Sequence, residues 1–202
     1  DAEPQFGSSQ AVAADSIPIS VLGPAYAFVA DWDSDGNKDL LVGDGQGGVH
    51  WYRNIGTDDV PQLTAMGSLQ AAGANLQVTG PAAPVVADWN SDGGKDLLVG
   101  AGDGRVWLFL NQGTDAAPVL AAGVPLAFPD VGVSRSNARP FVVDWNEDGR
   151  KDLLVGDANG HIYLFLNTGT EAAPAFANGA PLAGSGTPIV VSSHAAPFVV
   201  DW

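Results

Sequence analysis

The chain has 202 residues, enough for one ordinary domain or part of a larger one, and its hydrophobic content of 46% suffices for a core. Eight basic residues against 23 acidic ones give a net charge of −15, which excludes a nucleic-acid binder, because phosphates need clustered Lys and Arg. No apolar run is long enough for a membrane span, so no membrane insertion is expected, and the lack of cysteine excludes disulfides, thiolate metal sites and a cysteine nucleophile.

At the start of the chain, Asp1-Ala-Glu-Pro has neither a charged n-region nor an apolar h-region, so any secretion leader has been removed or lies outside these residues. Residues 1–23 read as a partial repeat, with Pro4 and a β-rich piece at Ile17–Leu22. The first complete unit spans about 24–80. It has a strand over Tyr26–Trp32, an acidic loop, a second strand over Asp39–Gly43, a turn at Gln46-Gly47 and a third strand over Val49–Asn54. A Gly56-Thr57 turn and Pro61 then open a looser segment with a weaker fourth strand and a β-rich piece at Leu76–Thr79.

The second unit, about 81–136, repeats the plan: Pro84–Trp89, Asp96–Gly100, the Asp103-Gly104 turn, Val106–Asn111, Gly113-Thr114 and Pro118. The third, about 137–193, has Pro140–Trp145, Asp152–Gly156, Asn159-Gly160, Ile162–Asn167, Gly169-Thr170, Pro174 and Pro188–Val191. Residues 194–202 begin one more, with Pro197–Trp202 as its first strand. Asp-Gly and Asn-Gly are strong signals for two-residue hairpins. Third runs such as Val106-Trp-Leu-Phe-Leu110 are apolar on both faces, as a strand covered on both sides requires.

The period is 57, 56 and 57 residues, counted from Asp31 to Asp88, Asp144 and Asp201. From the first loop aspartate to the Asn that closes the third strand (Asn54, Asn111, Asn167) is 23 residues in every copy, so the length variation lies between Asn111 and Asp144. Four short strands per unit, stacked face to face, predict an all-β fold of β-propeller blades, each of four antiparallel strands. The chain holds three complete blades plus partial terminal repeats.

The acidic loops carry the chemistry. Asp31-Trp-Asp-Ser-Asp-Gly-Asn-Lys-Asp39 places oxygen-bearing side chains at positions one, three, five and nine: Asp31, Asp33, Asp35 and Asp39. The second loop gives Asp88, Asn90, Asp92 and Asp96, and the third Asp144, Asn146, Asp148 and Asp152. A glycine follows each fifth position. Hard cations such as calcium take six to eight oxygens, and alternating acidic or amide residues around a glycine turn supply them. The seventh position changes freely between Asn37, Gly94 and Arg150, as expected if its backbone carbonyl is the ligand. A plain Asp-rich turn without an ion is the simpler alternative, and three copies in register weigh against it. Ten of the 23 acids are the aspartates of these loops; three calcium ions would bring −15 to −9.

The pattern Pro140-Phe-Val-Val-Asp-Trp-Asn-Glu-Asp-Gly-Arg-Lys-Asp-Leu-Leu-Val-Gly-Asp157, followed by Gly160-His-Ile-Tyr-Leu-Phe-Leu-Asn-Thr-Gly-Thr170, resembles the FG-GAP/VCBS repeat family. The resemblance runs over essentially the whole chain. It implies that each repeat is a propeller blade and that the loop between its first two strands binds calcium, as in the integrin α-subunit head. The all-aspartate loop at Asp31 is then expected to bind at least as tightly as the other two. Three blades are fewer than a closed ring needs. The remainder of a longer chain, or a homo-oligomer, is therefore expected to complete it.

Other residues read as structural. The tryptophans beside each first ligand (Trp32, Trp89, Trp145, Trp202) are expected to pack. Trp51, Trp107, Tyr163 and His50 on third strands are core, or else sugar-stacking groups. Lys38, Lys95 and Lys151 balance the anionic loops or are solvated. The three histidines show no acidic or serine partner at a catalytic spacing. The Gly43–Gly48 run is a hairpin turn with no helix after it, so it is no phosphate cradle. The expected function is a calcium-binding extracellular module for adhesion, binding or scaffolding, secreted or on the cell surface. It is not expected to be an enzyme, and its partner is a protein or glycan. The alternatives are a carbohydrate-binding lectin-like propeller and an accessory module of a larger secreted enzyme.

Overall fold

The computed structural model describes residues 10–129, 136–177 and 179–200. Every regular element among them is a β-strand. The chain opens on a hairpin, β1 (Ala13–Ala14) and β2 (Ile17–Pro18). The first unit follows with β3 (Tyr26–Ala30), β4 (Asp39–Gly43), β5 (Val49–Asn54) and β6 (Leu63–Ser68), and closes on a second hairpin, β7 (Gln70–Ala71) and β8 (Ala74–Asn75). The second unit has β9 (Ala83–Ala87), β10 (Asp96–Gly100), β11 (Val106–Phe109) and β12 (Val124–Pro125). The third has β13 (Arg139–Val143), β14 (Asp152–Gly156), β15 (Ile162–Phe165) and β16 (Ala180–Pro181), then the hairpin β17 (Ala183–Gly184) and β18 (Thr187–Pro188).

Each unit is an antiparallel meander in sequence order, β3-β4-β5-β6, β9-β10-β11-β12 and β13-β14-β15-β16. The second strands fall where Asp-Leu-Leu-Val-Gly predicts them. The first strands stop earlier than predicted, at Ala30, Ala87 and Val143, because the acidic loop already begins at the following Asp. The fourth strands of units two and three shrink to two residues.

The ends depart from expectation. In the expected partial repeat, residues 13–18 form a hairpin, and its β1 joins β6 in parallel, pairing Ala14 with Leu63. The same contact recurs one period later, where Ala71 bridges Leu120 in parallel. Left-handed residues turn these hairpins: Asp15 and Ser16, Ala72 and Gly73, Ser185 and Gly186. Two consecutive positive φ values define the type I′ turn that matches strand twist. Residues 197–200, expected as a first strand, pair with nothing among the described residues, and the second strand that would extend their ladder is not in the sequence given. Trp202 and the partial copy before residue 10 lie outside the described residues.

Units stack through their faces. On β10, Leu97 and Val99 join the core shared with unit one, while Leu98 joins the core shared with unit three. Every β10 and β14 residue is buried, as a strand covered on both sides must be. Close backbone approach fixes the stacking distance. A Cβ on Gly43, Gly100 or Gly156 would overlap the carbonyl oxygen of Ala82, Ala138 or Ala195 in the next unit. Beside each contact, an amide of the next unit donates back: Ala82 to Asp44 O at 2.9 Å, Ala138 to Ala101 O at 3.0 Å and Ala195 to Asp157 O at 2.9 Å.

The loop tryptophans are the largest plugs in these interfaces. Trp32 is 1% exposed and Trp89 0%, whereas Trp145 is 40% exposed. Truncating a buried aromatic residue costs its transfer energy plus a cavity. Trp89→Ala should therefore lower unfolding free energy by about 4 kcal/mol. Trp145→Ala should change it by about 0.5 kcal/mol or less, as for an ordinary surface site. Chemical denaturation of the two variants checks the contrast.

Candidate metal centre

The loops share one hydrogen-bond plan. The first aspartate caps the turn, accepting the amides of the fifth and sixth residues: Asp31 from Asp35 and Gly36 at 3.1 Å each, Asp88 from Asp92 and Gly93 at 3.1 Å each, Asp144 from Asp148 at 3.0 Å and Gly149 at 2.9 Å. The sixth residue is glycine because its φ is +94°, +89° and +84° in the three copies, a region that side chains rarely adopt. The fifth aspartate in turn accepts the amide of the seventh residue: Asn37 at 2.9 Å, Gly94 at 2.7 Å and Arg150 at 2.9 Å. The seventh residue thus enters through its backbone, which tolerates any side chain there.

The ninth aspartates are turned to the strand ends. Asp39 accepts the amides of Trp32 at 3.2 Å and Asn54 at 2.7 Å, and the Trp51 indole N–H at 3.3 Å. Asp96 accepts from Trp89 at 2.9 Å and Asn111 at 2.7 Å; Asp152 accepts from Trp145 at 3.0 Å and Asn167 at 2.7 Å. All three are buried. Burial pushes the carboxyls of Asp39 and Asp96 above their ordinary range, and the donated N–H groups oppose that shift. The closing asparagines carry the plan one turn further. The side-chain oxygen of Asn54 accepts Gly56 and Gln62 amides at 3.0 Å, and Asn111 and Asn167 do the same in their units.

Asp31, Asp33 and Asp35 offer carboxylate oxygens that all lie within 4.8 Å of one another. Asn90 and Asn146 replace the middle carboxylate in the other loops, each donating its amide to the fifth aspartate at 2.8 Å. A donor set made only of carboxylate, amide and carbonyl oxygen suits a hard divalent cation and not a soft one. The first loop already holds an organic cation. Arg53, on β5, brings Nε to 2.6 Å from Asp33 and Nη2 to 2.9 Å from Asp35. The Asn37 amide, together with Arg53, holds the Asp35 carboxyl below its usual range. In the third loop Arg150 pairs with Asp148 and donates Nε to Asn167 O at 2.8 Å. The second loop has Gly94 and Leu110 at the matching positions and gains no such charge.

Other groups are tied into structure. Lys38, Lys95 and Lys151 pair with Asp58, Asp115 and Glu171, each 20 residues on. Lys95 and Lys151 also reach Ser34 and Ser91 in the loop of the preceding unit. Trp51 and Trp107 are half-buried against the core, and Tyr163 is buried. His50 does have partners that the sequence spacing did not suggest: Nε2 lies 2.8 Å from Asp44 and Nδ1 3.3 Å from the Ser68 hydroxyl. Asp44 simultaneously accepts the Gln46 and Gly48 amides, so it caps its own hairpin and His50 ties that turn to β6.

A family model described as an FG-GAP-like repeat matches residues 31–99 and again 88–155. No curated protein matches the chain. Among solved structures, a chain from the crystal structure of BBS1N in complex with ARL6DN, soaked with lead, is 15% identical with a TM-score of 0.47. The match covers 80% of this chain and 45% of that one, so this chain spans less than half of that neighbour.

Because Asp96 satisfies two buried amides, Trp89 at the start of the loop and Asn111 just past the third strand, Asp96→Ala should cost about 3 kcal/mol, the scale of orphaned buried donors. Asp92→Ala, on the exposed side of the same loop, should cost about 1 kcal/mol or less. Urea unfolding of both variants distinguishes them.

Proposed function

The chain belongs to the FG-GAP-like repeat family, and from that premise we propose that it is a calcium-binding β-propeller module acting outside the cell in binding, adhesion or scaffolding. The observation that carries this reading is the convergence of the Asp31, Asp33 and Asp35 oxygens in a turn whose hydrogen-bond plan recurs twice more. In each unit the residues at positions one, three and five, the carbonyl of position seven and the ninth aspartate would hold the ion. The calcium's work is to neutralise the crowded carboxylates and fix the turn between first and second strands. The ninth aspartate also grips both flanking strands, so an ion at the loop is coupled to the sheet. Weak oxygen-ligand sites fill at the millimolar calcium found outside cells, which supports a secreted or cell-surface location.

Calcium that binds only the folded state stabilises it by about 2.7 kcal/mol per site at a hundredfold excess over Kd. A chain of this length should gain about 2–4 °C in Tm per kcal/mol. Thermal melts with excess calcium and with EDTA test this, alongside titration calorimetry. A melting temperature indifferent to EDTA, with no heat of binding, would overturn the proposal.

Arg53 sets the order of the sites. The expectation that the all-aspartate loop binds at least as tightly as the other two rests on its carboxylates alone, and the guanidinium on β5 offsets the extra one. Arg53→Leu, which installs the residue found at positions 110 and 166, should strengthen calcium binding at the first loop by roughly tenfold, the equivalent of about 1.4 kcal/mol. Calorimetric titration of the variant against the wild-type chain measures it.

A further inference from the structure

Neighbouring acidic turns touch through one lysine, one acid and one serine. Lys95 is the eighth residue of the second loop, directly before the buried Asp96. Asp115 accepts its backbone amide at 2.7 Å and its ammonium at 3.2 Å. The same carboxylate accepts the Ser34 hydroxyl at 2.7 Å, and Lys95 Nζ donates to that hydroxyl as well. Ser34 is the fourth residue of the first loop, set between Asp33 and Asp35. The two loops share a cleft of about 520 Å³, lined in part by Ser34, Asp92, Gly93, Gly94 and Asp115.

The junction is built twice. Lys151, the eighth residue of the third loop, donates Nζ to Glu171 at 2.8 Å and to Ser91, the fourth residue of the second loop, at 2.7 Å. Lys151, together with Ser91, holds the Glu171 carboxyl below its usual range. The Glu171 backbone carbonyl also accepts the indole N–H of Trp89, the second residue of that same loop, at 3.1 Å. The Lys95 and Asp115 side chains are only 26% and 13% exposed, and those of Lys151 and Glu171 23% and 17%, so solvent weakens these contacts less than it weakens a surface pair. Both serines have left-handed backbones, φ +57° at Ser34 and +58° at Ser91, which non-glycine residues seldom adopt. Each hydroxyl therefore reaches the next unit only while its own loop is held in this conformation.

We propose that these bridges make the acidic turns cooperative, so that a divalent cation in one loop tightens the site in the next. The inference rests on the calcium reading above and adds a regulation to it. An ion held by positions three and five fixes the serine between them. That serine holds the lysine and the acid of the following unit, and with them the residue beside the ninth aspartate. The second site then loses less freedom when its own ion arrives, which is positive cooperativity. Two cations of like charge would by themselves oppose each other, so the positive sign belongs to the bridge.

Nuclear magnetic resonance of the ¹⁵N-labelled chain during a calcium titration tests the proposal, because the amides of Gly93 and Gly149 report the second and third loops separately. Asp92→Ala, which removes a candidate ligand from the second loop, should raise the calcium midpoint at Gly149 about fivefold. In a Ser91→Ala background the same substitution should leave that midpoint unchanged. Asp148→Ala should in turn raise the midpoint at Gly93, since coupling is reciprocal. Asp35→Ala with Ser34→Ala, read at Gly93, repeats the cycle at the first junction. Calcium-free spectra of each variant establish that it folds. Gly93 and Gly149 titrating independently, or a lower Gly149 midpoint in Asp92→Ala, would leave the calcium reading standing and overturn the coupling. An effect of Asp92→Ala that persists without the Ser91 hydroxyl overturns it too. Amides that ignore calcium altogether bring down both.

Discussion

A buried carboxylate at the ninth loop position is the constraint on which each unit depends. Asp39, Asp96 and Asp152 sit where three pieces of chain meet: the start of the loop, the start of the second strand and the end of the third. Taking a carboxylate out of water is costly unless hydrogen bonds or an opposite charge compensate. At least two backbone N–H groups in every copy, a third at Asp96 from Asn90, and an indole N–H at Asp39 supply much of that compensation. The upward shift of Asp39 and Asp96 reflects the remainder. A divalent ion in the loop would act in the same direction, which links the proposed metal chemistry to the geometry of the sheet.

A second layer of contacts turns units into a stack. The loop tryptophan fills the face of the following unit, the glycine ending each second strand lets the next backbone come close, and a lysine joins its own acid to the serine of the neighbouring loop. These contacts all point one way along the chain, from unit n to unit n+1. Such polarity gives each contact between units a donor side and an acceptor side. It explains why Trp32 and Trp89, each followed by a complete unit, are buried.

Much of this was legible because it is local and repeated. The Asp-Leu-Leu-Val-Gly strands, the third strands and the turn glycines follow from periodicity and turn chemistry, and the structure places the second strands at the predicted bounds. The small hairpins escaped, since two-residue strands such as Ala13–Ala14 have no periodicity to read. Contacts between units escaped for another reason. The partnership of Lys95 with Ser34 spans 61 residues, and only the constant 20-residue step from each lysine to Asp58, Asp115 or Glu171 hinted at it. Arg53 was hidden by position: it lies on a strand, where the other units carry leucine, and reaches back over the loop. The Asp44–His50–Ser68 array depends on the pairing of β5 with β6, which sequence did not fix.

The central claim is that the three acidic turns are cation sites joined to the strands that flank them. Each has a tryptophan next to its first aspartate, so a lanthanide bound there should be excited through the indole. Titration with terbium, followed by displacement with calcium, reads this directly. Sensitised emission that saturates near three equivalents and is reversed by calcium is the expected result. Emission that never saturates, or that calcium fails to displace, would contradict it.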